Sequence, residues 1–167
     1  WQKCLGGSSI DEAQSIQQTS DGGFVVSGFS WSNDGDLTSN QGSSDFWLIK
    51  LDSLANIIWQ TSKGGSHYDE AYSALETMDS GFIVVGNTGS NDGDVVGFQG
   101  VRDYWIIKFD SIGGISWQKT LGGTHQDYGY SVIQTDDEGF VIAGGSASND
   151  GDVTGNHGDI DYWITKV

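Results

Sequence analysis

The sequence of 167 residues has no proline and a single cysteine, Cys4. A lone cysteine cannot close an internal disulfide, which excludes a disulfide-stapled scaffold. No histidine or other base accompanies Cys4 at matching positions, so we interpret it as a small strand residue and not as a nucleophile. The sequence also lacks a recognisable Ser-His-Asp set and a glycine-rich phosphate loop, and we therefore expect no enzyme.

Positive charge is scarce. Seven Lys and Arg residues face 23 Asp and Glu residues, which leaves a net charge of −16. Such a surface repels nucleic acid and anionic membranes, so neither is an expected partner. No apolar run approaches the roughly 18 residues of a membrane span, and no signal-peptide pattern opens the sequence. A mature secreted protein and a cytosolic one both fit these absences.

What the sequence does contain is a repeat. The segment Ser-Asn-Asp-Gly-Asp occurs at 32–36, 90–94 and 148–152, so the step is 58 residues both times. Tryptophan keeps the same step at Trp1, Trp59 and Trp117. A fixed period of this length indicates an array of small units that bury surface against their neighbours. The units are 1–58, 59–116 and 117–167, and the last lacks its final turn.

Each unit contains four strand-like runs, which in the first unit are Ala13–Thr19, Phe24–Phe29, Phe46–Leu51 and Ile57–Ser62. Turn chemistry with 26 glycines in the whole chain separates them, and no segment has the period of an amphipathic helix. The sequence therefore predicts an all-β fold of three tandem four-stranded antiparallel units. Small residues suit the first run to the crowded innermost strand, whereas the run with Trp59 is expected to be outermost.

Three segments carry a resemblance: Asp-Gly-Gly-Phe-Val-Val-Ser-Gly at 21–28, Asp-Tyr-Trp-Ile-Ile-Lys-Phe-Asp-Ser at 103–111 and Trp-Gln-Lys-Thr-Leu-Gly-Gly at 117–123. They resemble the propeller-type β repeats of about 58–60 residues found in secreted bacterial surface proteins. The resemblance implies a β-propeller-like blade for each unit and an extracellular or cell-surface location. Repeats of this kind serve as structural, adhesive and binding modules alike.

The phase of the repeat leaves both ends incomplete. Trp1 lies in an outermost run whose own unit is absent, and Val167 ends a third run without its outer partner. The N-terminal strand is thus in position to complete the last blade or that of a neighbouring chain. Three outcomes are open: a six-bladed ring of two chains, a filament built by strand donation, or a slice of a longer repeat array. We favour the last two and expect self-association through open strand edges.

Carboxylates recur in the loop between the second and third runs. Asp34 and Asp36 flank a glycine and can direct oxygens to one centre, and Asp45 follows 11 residues after Asp34. Because the acids recur in every unit while residues 39–41 vary, we predict a calcium site in each. The alternative is turn chemistry, with Asp45 only capping a strand. The predicted ligands are Asp34, Asp36, Asp45, Asp92, Asp94, Asp103, Asp150, Asp152 and Asp161.

Other signals are weaker. His67, His125 and His157 do not occupy three equivalent positions, so zinc is not expected. Ser53 and Ser111 follow aspartate and precede an apolar residue. That pattern resembles an O-glycosylation sequon of some bacteria that secrete such repeats, although Asp-Ser is also ordinary turn composition.

These observations predict a non-catalytic, extracellular, calcium-stabilised structural or adhesive repeat protein that joins a filament or a longer array. The alternative is a calcium-dependent, lectin-like propeller that binds glycans, with the aromatic residues Trp31 and Phe98 contacting sugar. Those two residues are not repeat equivalents. Because lectin propellers usually repeat their sites, the structural interpretation ranks first.

Overall fold

A computed structural model describes all residues from 1 to 167 and contains eleven β-strands. The strands are β1 (Asp11–Gln18), β2 (Phe24–Ser30), β3 (Asp45–Leu51), β4 (Ile57–Lys63), β5 (Asp69–Glu76), β6 (Phe82–Thr88), β7 (Asp103–Phe109), β8 (Ile115–Leu121), β9 (Asp127–Gln134), β10 (Phe140–Ser146) and β11 (Asp161–Lys166). The all-β prediction is confirmed. None of the elements is a helix that could span a membrane.

The strands form three antiparallel sheets that follow chain order. The first sheet is β1-β2-β3-β4, the second is β5-β6-β7-β8, and the third has only β9, β10 and β11. Each of the four runs predicted for the first unit agrees with an observed strand to within two residues at either end. The hairpins close where expected: Gly22 adopts a φ of 82° between β1 and β2, and Ala55 adopts a φ of 64° between β3 and β4.

The sheets stack face to face with their first strands adjacent. β1 lies next to β5 and β5 next to β9, while β2 and β3 cover β5. The first run of each unit thus lies against the first run of the next, while its innermost place in a propeller blade stays a prediction. Its small residues are required there, because a Cβ added to Gly129 of β9 would stand 2.8 Å from the Val85 side chain of the preceding sheet. Tight packing at this position therefore sets how closely neighbouring sheets approach.

Large apolar side chains fill both spaces between sheets. Phe46 of the first sheet lies 4.7 Å from Trp105 of the second, measured between ring centroids. At the next junction, Tyr104 lies 4.5 Å from Trp163. Both pairs occupy the same repeat positions, one unit apart. The two apolar clusters are thus copies of one interface.

The ends of the stack differ from the middle. Residues 1–7 form no strand, because the chain places no third strand beside them. Trp1 instead packs on Phe24 at a centroid distance of 5.7 Å, as Trp59 packs on Phe82 at 5.4 Å. The segment therefore lies against the first sheet where an outermost strand of a preceding sheet would lie. The predicted N-terminal strand is not formed within one chain, and no closed propeller is present.

Candidate functional site

The acidic loops gather at one end of the stack. The loop between β2 and β3 folds onto the segment that precedes β1, and Asp36 donates its backbone N–H to the carbonyl oxygen of Gly6 at 3.0 Å. Asp94 and Gly64 repeat this bond at 2.8 Å, as do Asp152 and Gly122. Three equivalent loops with equivalent contacts make this end the main concentration of negative charge.

Asp34 and its copies bind backbone rather than one another. Asp34 Oδ1 accepts the N–H of Ser8 at 2.7 Å, and this hydrogen bond keeps the pKa of Asp34 below its usual value. Asp92 and Asp150 accept equivalent bonds from Ser66 and Thr124. Asp36 Oδ2 accepts the N–H of Gly6 at 3.0 Å. These carboxylates close the loop onto the neighbouring segment, which agrees with the turn interpretation of their sequence.

Asp45 and Asp103 have a different environment. Each begins the third strand of its sheet, each is fully buried, and each uses Oδ2 to accept one backbone N–H, from Gln41 and Gln99 respectively. Burial raises the pKa of both carboxyls to about 6, and neighbouring aspartates add to the rise. Oδ1 of Asp45 and Oδ1 of Asp103 are buried without a hydrogen-bond partner.

The second carboxylate that lies beside Asp45 is not identified by the sequence analysis. It is Asp69, the first residue of β5 in the next sheet, which is also fully buried. Asp69 Oδ2 accepts bonds from the Gly65 N–H and the Ser90 hydroxyl, both at 2.8 Å, and burial raises the pKa of Asp69. Asp127 accepts equivalent bonds from Gly123 and Ser148, both at 2.9 Å.

The two carboxylates of each junction face the same small space beside a glycine. A Cβ on Gly122 would stand 2.6 Å from both Asp103 Oδ1 and Asp127 Oδ2. A Cβ on Gly64 would stand closer than 3.0 Å to the corresponding oxygens of Asp45 and Asp69. A local signal did exist, since a Gly-Gly pair precedes Asp11, Asp69 and Asp127 at the same offset in every unit.

The structure does not bring the predicted intra-unit ligand sets together. No group of three or more His, Cys, Asp or Glu side chains is arranged to hold a metal ion. The carboxylates that repel Asp45 are Asp69 and Asp94, both from the second unit, instead of Asp34 and Asp36 of its own unit. Calcium binding at the predicted residues stays a prediction.

The side of the first sheet that faces no other sheet is a second candidate, named here the N-terminal face: Ala13, Ile16, Val26, Gly28, Trp47, Ile49 and Leu51. A largely apolar cavity of about 290 Å³ is lined by these residues together with Trp1, Lys3, Cys4, Leu5, Asp11, Glu12 and Ser27. Ile16 is 62% exposed, whereas its repeat equivalents Ala74 and Val132 are each 5% exposed. The face is therefore built like a sheet-to-sheet interface without its second sheet.

The opposite side of the stack is the C-terminal face: Ile133, Val141, Ala143, Tyr162 and Ile164. Tyr162 is 97% exposed and Ile164 is 67% exposed, although both belong to a strand. No outer strand pairs with β11, so its edge is open. A face and an edge of this composition bind further β structure readily.

A row of polar aromatic side chains forms a third candidate. Trp31 lies 5.5 Å from Tyr68, Arg102 lies 5.7 Å above Tyr68 and 5.9 Å above Tyr128, and Tyr128 stacks on Tyr130 at 6.1 Å. Trp31 and Tyr68 are each 40% exposed. Phe98, the other aromatic residue predicted to contact sugar, instead packs against the core between the first two sheets.

The remaining predicted sites lie on the surface. Ser53 and Ser111 are exposed in the turns that follow β3 and β7. The aspartate before each of them caps its own turn: Asp52 accepts the N–H of Leu54 at 2.8 Å and Asp110 accepts that of Ile112 at 3.0 Å. This contact supports turn composition as the reason for the pattern and leaves glycosylation a prediction.

Comparison with known proteins adds no relative to this geometry. No protein-family model matches the sequence, and a search of curated proteins gave no match.

Proposed function

We propose that this chain is a non-catalytic structural element of an extracellular or cell-surface assembly, in which copies join head to tail. The C-terminal face of one copy stacks on the N-terminal face of the next. One observation carries the proposal: Tyr104 and Ile106 are 0% exposed, whereas Tyr162 and Ile164, at the same repeat positions, are 97% and 67% exposed. The third sheet therefore exposes side chains that are buried between sheets at the two junctions within the chain.

The contacts of Tyr104 describe what Tyr162 would find on a second copy. The Tyr104 ring lies beside Gly129 and Gly144, packs on Trp163, and donates its hydroxyl hydrogen to the Trp163 carbonyl at 2.9 Å. The equivalents of those three residues in the first sheet are Ala13, Gly28 and Trp47, and all three line the cavity of the N-terminal face. The cavity thus matches the side chain that the opposite face exposes.

Strand pairing supports the same arrangement. β3 pairs with β4 so that Trp47 faces Ser62, and β7 pairs with β8 so that Trp105 faces Thr120. Shifted by the repeat, this register places Trp163 opposite Cys4 of the next copy. Residues 1–5 would then become the missing outer strand beside β11, with the backbone hydrogen bonds that both segments lack within one chain.

The same contact serves a closed and an open assembly. Two copies joined twice make a six-sheet ring, which lies in the usual range of about four to eight blades for a propeller. If the rotation between copies does not close, the contact continues into a filament or a longer array. The apolar contact drives either assembly, and the charge of −16 on each copy opposes it at low salt.

Disulfide trapping tests the register. Since Leu48 faces Thr61 within the first sheet, the proposal places Ile164 opposite Lys3 of the next copy. In a Cys4→Ser background, Lys3→Cys with Ile164→Cys should give chains linked in series under mild oxidation. The matched control is Lys3→Cys with Thr165→Cys, because adjacent strand residues point to opposite faces. Equal cross-linking of the two variants, or none in either, would contradict the contact.

A second candidate function is calcium-dependent glycan binding at the aromatic row. The exposed Trp31 and Tyr68 rings present the kind of flat surface against which sugars pack. A glycan array probed in millimolar calcium tests it. Binding that Trp31→Ala abolishes, with unchanged thermal stability, would support a lectin-like role; an array without signal would leave no ground for this candidate.

A further inference from the structure

Each junction between sheets buries two carboxylates without a positive side chain to balance them. Asp45 and Asp69 are both 0% exposed, as are Asp103 and Asp127. Every lysine, arginine and histidine that forms an ion pair does so with some other acid. An uncompensated pair of buried negative charges strongly opposes folding, so the junction requires an additional positive charge.

The unsatisfied oxygens point to where that charge resides. Oδ1 of Asp45 and Oδ1 of Asp103 are buried without any hydrogen-bond donor. Each faces an oxygen of the second aspartate across the space beside Gly64 or Gly122, where a side chain would collide. Two carboxylate oxygens that converge beside one glycine, one of them without a hydrogen-bond partner, form a ligand arrangement for a hard cation.

We propose that each junction binds one calcium ion, between Asp45 Oδ1 and Asp69 Oδ2 at the first and between Asp103 Oδ1 and Asp127 Oδ2 at the second. Calcium is the ion of choice because all the ligands are oxygens and the two halves of the site come from separate sheets. Calcium accepts such irregular geometry more readily than magnesium does. Asp94 and Asp152 lie beside the two junctions, and waters complete the coordination.

This site differs from the one that local spacing predicts. Of the nine predicted ligands, Asp45 and Asp103 contribute directly, and their partners Asp69 and Asp127 come from the sheet that follows. Asp34 and Asp36 take no part, because the carboxylate oxygens nearest to Gly64 are those of Asp45 and Asp69. The ion would therefore bridge two sheets and strengthen their junction, whereas a loop site would only order its own loop.

Each end of the stack contains one of the two aspartates that form such a site, Asp11 at the N-terminal face and Asp161 at the C-terminal face. Asp11 accepts the Gly7 N–H at 2.7 Å and the Ser32 hydroxyl at 3.0 Å, as Asp69 and Asp127 do in their sheets. Asp161 accepts the His157 N–H in the position of Asp45. Neither faces a second carboxylate within the chain. A third calcium site between copies would follow, and this extension alone rests on the proposed head-to-tail contact.

Calorimetric titration with calcium tests the proposal on a chain kept single by Tyr162→Arg, so that failure of assembly does not affect the result. The expected stoichiometry is two ions per chain, with a midpoint between about 10⁻⁴ and 10⁻³ M, as in extracellular modules. The melting temperature should rise by at least ~5 °C at saturation. Asp45→Asn with Asp103→Asn should remove both effects.

The matched control is Asp34→Asn with Asp150→Asn, which changes the same number of charges in the neighbouring loops and should leave both ions bound. If this control loses calcium binding while the variant with Asp45→Asn and Asp103→Asn retains it, calcium binds to the loop aspartates and not at the junctions. No heat and no change in melting temperature up to about 10 mM calcium would overturn the proposal. A different outcome is that calcium has no effect while acidification from pH 7 to 5 raises the melting temperature. That result would show that a proton, and not calcium, neutralises the buried carboxylates. Should the Asn variants fail to fold, the stoichiometry of the single chain still decides.

Discussion

β7 and β11 have nearly the same sequence and very different surroundings. β7 reads Asp-Tyr-Trp-Ile-Ile-Lys-Phe and is buried along its whole length, with a sheet on each face and a strand on each edge. β11 reads Asp-Tyr-Trp-Ile-Thr-Lys, and its residues alternate between half-buried and exposed. The exposure of β11 therefore comes from its place at the end of the stack. The repeat specifies a strand that is suited to burial on both faces.

The first sheet teaches the same lesson from the other end. Cys4 is exposed, whereas its equivalents Ser62 and Thr120 are 6% and 7% exposed because each lies in a paired outer strand. Middle and end positions thus form matched pairs with almost identical local sequence. Substituting both residues of such a pair therefore shows how much a side chain contributes to stability between two sheets and how much it contributes at an end of the stack.

The largest expected contrast is between Tyr104→Ala and Tyr162→Ala. Removing the buried Tyr104 ring should lower the free energy of unfolding by about 3–5 kcal/mol, because it leaves a cavity and an unpaired carbonyl. Removing the exposed Tyr162 ring should change that of a single chain by no more than ~0.5 kcal/mol. Urea unfolding at low protein concentration measures both. Similar losses would mean that the two positions are equivalent in a single chain, contrary to the structure.

A smaller contrast is expected between two lysine–aspartate pairs. The Lys108 side chain is 7% exposed and lies 2.9 Å from Asp79, whereas the Lys166 side chain, paired with Asp137, is 51% exposed. Asp79→Asn should cost about 1–2 kcal/mol, less than for a fully buried pair because Asp79 itself faces solvent. Asp137→Asn should have no measurable effect on unfolding. The reverse order would show that the depth of the lysine does not matter.

Acid should weaken the fold through two lysine–aspartate pairs, Lys108 with Asp79 and Lys50 with Asp21. Hydrogen bonds from Thr77 and Lys108 lower the pKa of Asp79 to about 2, and Lys50 lowers that of Asp21. A depressed carboxyl pKa stabilises the fold above the unfolded value of roughly 4, and this contribution is lost as the pH falls towards 2. Asp45 and Asp103 do not affect this window, because their raised pKa values concern pH 4 to 6. Unfolding free energies that stay constant between pH 4 and 2 would contradict these pairs.

The smallest effect concerns the reactivity of Cys4. In the head-to-tail contact Cys4 joins a paired strand, so its reaction with a thiol reagent should slow as the protein concentration rises. The rate in Tyr162→Arg should not depend on concentration. The absorbance of the released thiol product follows both reactions. A wild-type rate that is independent of concentration would show that Cys4 remains uncovered.

Much of the fold could be predicted from the sequence because most repeat positions occur three times and can be compared with one another. Strand runs, turn residues and the close packing at Ala13 and its copies follow from small, apolar and glycine residues that recur at the same places. The N-terminal strand was predicted and is not formed, since a strand requires a partner and residues 1–5 have none in the chain. The position of a segment in the repeat predicts a strand, but the strand forms only where a neighbouring strand can hydrogen-bond to it.

The carboxylate junctions could not be predicted in the same way. Local spacing joins Asp34, Asp36 and Asp45, which lie close in sequence, but the structure places Asp45 against Asp69 of the following sheet. This contact depends on the parallel bridge between Ser44 and Tyr68 at the sheet junction. The Gly-Gly pair before Asp69 is a local signal for that aspartate but does not indicate that Asp45 lies beside it. Contacts between stacked units depend on the rotation and separation of the sheets, and these follow from the packing of Phe46 on Trp105 rather than from loop sequence.

Light scattering over a range of protein concentrations tests the head-to-tail contact most directly, with three chains compared at one salt concentration. The unmodified chain should show a mass that rises with concentration, or one that settles at two chains for a closed ring. Tyr162→Arg should keep the mass of a single chain. Leu54→Arg, which changes a 73% exposed residue in the turn after β3, should behave like the unmodified protein. A single-chain mass for the unmodified protein at every concentration, or equal assembly of the two arginine variants, would contradict the account.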